Sequence, residues 1–153
     1  MFFEDFASAD PVVSGERTIT EADVMAFAHL TGDFVKLHTD EDYAKTTKYG
    51  RRIAHGALVF SISVGLSTQM QLFDDGLIAF AGVDKLRFVA PVFFGDTVRV
   101  VKKVAERKEM GAAQGTVTFE SRVLNQRGEV VVAYLDRLLM RRRPTAEESS
   151  DRS

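Results

Sequence analysis

Cysteine is absent from this chain of 153 residues, which removes disulfides, thiolate nucleophiles and Cys-based zinc sites together. An excess of either charge is missing too: 20 Lys and Arg stand against 22 Asp and Glu, a formal net charge of −2. Such a balance shows no whole-protein basic field of the kind nucleic-acid binders use, so no nucleic-acid partner is expected. The opening residues MFFEDFASAD carry acids where a secretory signal needs a basic region before an apolar core; a cytoplasmic location is the expectation. Tryptophan is also lacking, while Phe occurs 12 times, and those rings read as core and cavity wall. The most informative absence is local. From Gly56 to Phe73, GALVFSISVGLSTQMQLF contains no charged residue, yet its serines, threonine and glutamines make it too polar for a lipid-facing span. No membrane association is expected, and an uncharged helix in a globular protein is one that other elements surround.

What is present fits one domain. Hydrophobic residues make up 45% and charged ones 27%, close to the average for soluble globular proteins and enough for a core without structural metal. Arg17 to Ile19 reads as a possible edge strand. Thr20-Glu21-Ala22-Asp23 is a capping-box-like helix start, and Gly32 is its stop signal. Thr39 or Asp40 caps a second short helix through Ala44, and Lys45 to Arg52 is a charged, solvated connection. After the uncharged helix the pattern turns strand-like. Leu77 to Val89, Val98 to Val104, Val117 to Val123 and Val130 to Met140 alternate or run apolar between short turns. The order predicts an α+β fold in which a curved antiparallel sheet wraps a long central helix. Open sheet edges favour pairing with a second copy. Residues 1–140 form the expected single domain, and 141–153 a polar, disordered tail.

All three histidines fall within residues 29–55. Asp33 and His38 follow a helix stop, where a loop can turn both side chains toward one water molecule as base and acid. The same pair is also compatible with an acid that happens to follow a helix end and a packing histidine. His55-Gly56 stands at the start of the uncharged helix, whose first N–H groups can hold a carbonyl oxygen as charge develops on it. Gly56 either admits a substrate close to the backbone or merely starts a helix in a crowded place. Arg51 and Arg52 are candidates for phosphate contact.

These residues resemble a known family. TGDFVKLHTDEDYA and RRIAHGAL look like the MaoC-like dehydratases, or (R)-specific enoyl-CoA hydratases, of the hotdog-fold superfamily. The matching positions are Phe27, Ala28, Thr31, Gly32, Asp33, His38, His55 and Gly56. MFFEDF, RTITEADV and LRFVAPVFFGDTV extend the likeness over roughly residues 2 to 140. The resemblance implies syn hydration of a trans-2-enoyl thioester, or the reverse dehydration. Asp33 is then the general base, His38 orients the water and helps deliver a proton, and the Gly56 N–H stabilises the enolate-like oxygen. Substrate contact is expected from His55, Ser61, Val35, Arg51 and Arg52, and residues 66 to 80 are candidates for closing an acyl tunnel. The partner is an acyl thioester of coenzyme A or an acyl carrier protein, with no metal or cofactor, in a homodimer or dimer of dimers.

The sequence departs from the family pattern at Val35-Lys36, where the family has Asn-Pro, and at Val64, where members often carry Ser. Val35 has no side-chain hydrogen bond to offer, and loss of Pro frees a fixed φ. The departures motivate an alternative: an acyl-CoA binding protein of weakened catalysis. A thioesterase of the same fold is less favoured, because residues 56–73 carry no carboxylate.

Overall fold

The computed structural model describes residues 1–7 and 11–144. A 3-10 turn at Phe3–Ala7 precedes two short strands, β1 (Val12–Val13) and β2 (Arg17–Thr18). Helix α1 (Glu21–Thr31) begins on a true capping box, in which Thr20 and Asp23 satisfy each other's backbone N–H groups, and ends at Gly32 with φ +80°. Two short helices follow, α2 (Lys36–Thr39) and α3 (Glu41–Lys45), the latter capped by the Asp40 side chain. Helix α4 spans Gly56–Gln69, and four long strands complete the fold: β3 (Leu77–Phe88), β4 (Thr97–Glu109), β5 (Gln114–Leu124) and β6 (Val130–Arg141). The sheet order is β1-β4-β5-β6-β3, with β2 also on β4, and every pairing is antiparallel.

Period-two alternation sets one face of this sheet against α4. Val98 and Val100 of β4, Val123 of β5 and Val132 and Tyr134 of β6 pack with Leu58, Val59 and Leu66 of the helix. A second apolar cluster closes the far end, where Phe3 and Phe6 of the N-terminal turn meet Phe73, Phe119 and Met140. Between the two clusters lies a charged row. Lys102 Nζ donates to Asp136 Oδ2 at 2.6 Å and to Ser121 at 2.8 Å, and Ser121 donates to Asp136 Oδ1 at 2.6 Å.

Two expectations are corrected. The uncharged helix is not enclosed on all sides within one chain: Ala57, Ser61, Thr68 and Gln69 are exposed. Small and uncharged polar side chains suit water as well as an interior, so lack of charge alone does not establish burial. The tail boundary also moves. β6 includes Arg141, Arg142 pairs with Glu4 at 2.9 Å, and Arg143 pairs with Asp5. These contacts fasten residues 142 and 143 to the N-terminal turn. The remainder of the expected tail, 145–153, lies outside the described residues.

Candidate active site

The site forms where three segments meet at the start of α4. Gly32 stops α1 in the left-handed conformation, and the chain turns through Asp33 into α2, which carries His38. The segment 53–56 then runs alongside. His38 Nδ1 donates to the Ile53 carbonyl at 2.8 Å; a carbonyl only accepts, so the proton sits on Nδ1 and Nε2 is left toward the site. His55 Nε2 likewise donates to the Asp33 carbonyl at 3.0 Å. The two imidazole rings lie 4.0 Å apart, and Phe27 packs on His55 at 4.8 Å. A carboxylate oxygen of Asp33 and one ring nitrogen from each of His38 and His55 fall within 4.8 Å of one another. This donor set has the spacing to approach a cation, but His38 Nδ1 and His55 Nε2 are both committed to backbone carbonyls.

Burial lowers the His38 pKa below the ordinary imidazole value. The Ile53 carbonyl opposes that shift, His55 adds to it and the Asp33 charge opposes it again. A lowered value keeps the imidazole neutral at pH 7, with Nε2 a hydrogen-bond acceptor.

Beside His38 opens a cavity of about 370 Å³, bordered by His38, Gly56, Val59 and Phe88 together with Lys48 and Tyr49; Asp33 is not among its lining residues. His55 is the N-cap of α4 but makes no side-chain cap, so the Gly56 N–H remains one of the orphan donors of the first turn. The Phe88 ring lies over Gly56: a Cβ there would meet its carbons at 2.6–2.8 Å. A side chain at position 56 would therefore have to displace the Phe88 ring, which is 55% exposed. A smaller cavity of about 90 Å³ lies toward the other end of α4, between Val64, Ser67, Phe73, Leu77 and Phe80. Burial pushes the Tyr134 phenol on its wall up to about 12. Its lining overlaps the 66–80 region expected to close an acyl tunnel.

The structure thus brings together Asp33, His38, His55 and Gly56, and separates the others. His55, expected to touch substrate, is only 2% exposed and is bonded to Asp33 instead. Ser61 is exposed and donates to the Ala57 carbonyl at 2.8 Å. Val35 is the N-cap of α2 and is 56% exposed, outside both cavity walls. Arg52 is held by Glu21 at 2.7 Å and Glu41 at 3.0 Å, so structural ion pairs occupy the guanidinium expected at phosphates. Arg51 is exposed and stacks on Phe93 at 3.9 Å. Lys48, Tyr49 and Phe88 line the cavity unforeseen; the first two lie in the loop read as merely solvated, and only their position just before the helix start hinted at them.

Comparison with known proteins gives a consistent result. The family model described as "MaoC like domain" matches residues 5–126. An (R)-specific enoyl-CoA hydratase of Rhodospirillum rubrum is 36% identical over 135 residues, covering 86% of this chain and 90% of that protein. Protein MaoC of Klebsiella aerogenes is 37% identical over 102 residues; the match covers 65% of this chain but spans only 29% of that longer protein. Among solved structures, a monoamine oxidase regulatory protein from Archaeoglobus superposes with TM-score 0.89 at 40% identity, covering 94% of this chain and 96% of that one. A Mycobacterium tuberculosis protein with a double hotdog fold superposes with TM-score 0.78 at 21% identity, covering 94% of this chain and 45% of that one. This last likeness bears on the fold alone, and the fold is a hotdog.

Proposed function

The chain belongs to the MaoC-like domain family, and from that premise we propose that it is a hydro-lyase that adds water to a trans-2-enoyl thioester or removes it from the 3-hydroxyacyl product. The observation that carries this reading is the convergence of the Asp33 carboxylate and the His38 imidazole beside the uncapped N-terminus of α4. Relatives named as hydratases and 3-hydroxyacyl-thioester dehydratases support it.

In the hydration direction, water sits between Asp33 and His38 and donates one hydrogen to His38 Nε2. Asp33 takes the other proton as the water oxygen bonds to the β-carbon. The alkene electron pair moves toward the thioester carbonyl, whose oxygen accepts the Gly56 N–H. The abstracted proton returns to the α-carbon on the same face through the Asp33/His38 pair, so addition is syn and atoms balance. Proton transfer of this kind contributes about 10²–10⁴-fold, and one oxyanion donor about 10²–10³-fold. The steps use side-chain and backbone groups alone, and no metal or organic cofactor is part of the proposal. The thioester is carried by coenzyme A or an acyl carrier protein, with Lys48 on the cavity wall and Arg51, three residues on in the same loop, as the candidates for phosphate contact.

The proposed assembly is a homodimer through β3. Among the described residues that strand is hydrogen-bonded on one side only, to β6, and leaves Ile78, Phe80, Leu86 and Phe88 exposed. No helix among the described residues is long and apolar enough to cross a membrane; a cytoplasmic site remains part of the proposal.

A second reading, a thioester binder with weakened catalysis, draws on Val35 at the N-cap of α2, which provides no side-chain cap. One assay separates the two. Enoyl-CoAs of several chain lengths, with branched and dicarboxylic members, are hydrated by the wild type and not by Asp33→Asn. Thermal stabilisation by acyl-CoA without turnover on any member supports the binder and ends the enzyme reading.

A further inference from the structure

We infer that His55 is the positioning residue of this site: its Nε2–H holds the Asp33 peptide carbonyl, and with it the carboxylate, in register with His38 and Gly56. The Asp33 loop has otherwise only its own neighbours to hold it. Gly32 N–H donates to Ala28 at 2.8 Å and Phe34 N–H to Gly32 at 3.1 Å. Thr39 donates to the Phe34 and Val35 carbonyls at 3.3 Å each. Asp33 Oδ1 receives the Val35 N–H at 3.3 Å, long for such a bond. Among the described residues, the hydrogen bond tying residues 32–35 to a distant part of the chain is the one from His55, 22 positions away.

The donor is itself immobilised. His55 is 2% exposed, with His38 at 4.0 Å and Phe27 at 4.8 Å against its ring. Its ring is sealed from solvent and bonded to the Asp33 carbonyl, so its influence on the reaction passes through Asp33. One four-residue segment then sets the whole geometry. The Ile53 carbonyl orients His38, the His55 ring orients Asp33, and Gly56 supplies the N–H at the helix start. Sub-ångström placement of this kind is what separates a productive site from one that only contains the right groups.

The ring's other nitrogen, Nδ1, is buried without a partner among the described residues, so the bond to Asp33 is the polar contact that distinguishes substitutions. A glutamine amide places its nitrogen near the Nε2 position and keeps the donor; an asparagine amide reaches only to Nδ1 and loses it. The kinetic readout rests on the hydro-lyase reading, so a second readout independent of turnover accompanies it: amide exchange of Asp33, Phe34 and Val35, whose N–H groups are bonded within the loop.

His55→Asn and His55→Phe are expected to lose about 10- to 100-fold in kcat with KM nearly unchanged, a loss typical of removing a supporting contact. Amide exchange of the loop rises in both, and His55→Gln recovers most of the turnover and the protection. Wild-type kcat and protection in His55→Asn overturn the inference. So does a loss that follows the fall in Tm across all three variants without recovery in Gln. A wild type inactive on every enoyl thioester ends the functional reading instead, and the exchange data alone then decide the role of His55.

Discussion

Lys102 and Asp136 meet at 2.6 Å in the middle of the core, their side chains 1% and 3% exposed, on strands β4 and β6 that are not paired with each other in the sheet. Ser121 on the intervening β5 bonds to both. Burial lowers the Lys102 pKa, and Asp136 acts against that shift. A buried pair of this kind is costly to break from one side, because the surviving charge is left desolvated.

Asp136→Ala is therefore expected to destabilise the fold by about 3–5 kcal/mol. The double variant Lys102→Met, Asp136→Leu removes both charges and recovers most of that loss. Urea unfolding of the three proteins checks it; equal losses in the single and double variants contradict the account.

Gly56→Ala drives a methyl group into the Phe88 ring, which stands within 2.6–2.8 Å of the new atom. Overpacking of this sort costs about 1–3 kcal/mol, and displacement of the helix start lowers turnover as well. Adding Phe88→Ala makes room, so the double variant regains stability relative to Gly56→Ala. Thermal melts of single and double variants test the coupling.

Acidification protonates His38 at Nε2 and removes the acceptor that orients water. Because burial sets its pKa below the ordinary imidazole value, the acid limb of kcat/KM falls below the usual histidine range near 6.5. The sign for stability agrees. A group whose pKa is depressed by folding contributes stability that is present above the unfolded value and is lost as pH drops toward the folded one. Nuclear magnetic resonance titration of the His38 ring beside the pH–rate profile tests the assignment, and an acid limb above the usual histidine range refutes it.

The neighbouring arginines are expected to behave oppositely. Arg52→Ala breaks pairs with Glu21 and Glu41 whose carboxylates are 62% and 45% exposed, a loss of about 1 kcal/mol after solvent screening, with little change in KM. Arg51→Ala loses its stacking on Phe93, about 0.5–1 kcal/mol, and raises KM for CoA thioesters, but not for a truncated thioester without phosphates. Parallel melts and kinetics with both thioesters separate the two roles, and matching profiles for the two variants defeat the distinction.

Much of this was legible from local pattern. Thr20 and Asp23 announced the capping box, Gly32 the helix stop, and alternation along Val98 and Val100 the inward face of β4. That same alternation places Lys102 inward, but nothing near it in sequence names a partner, because Asp136 lies 34 residues away. Arg51 and Arg52 were indistinguishable as letters; Glu21 and Glu41 separate them only once α1 and α3 stand beside the loop.

The opposed roles of neighbouring histidines mark the boundary most clearly. By itself the sequence determined the order of elements and the helix punctuation that puts Asp33 just past one helix end and His55-Gly56 at the start of another, since these follow from local spacing; that the two meet at one site was implied by the family resemblance alone. Only the tertiary structure decided which ring faces the cavity and which is sealed behind it. Local chain geometry leaves both imidazoles free to turn either way. Long-range contacts from Ile53 to His38, from Phe27 to His55 and from His55 to Asp33 select one arrangement.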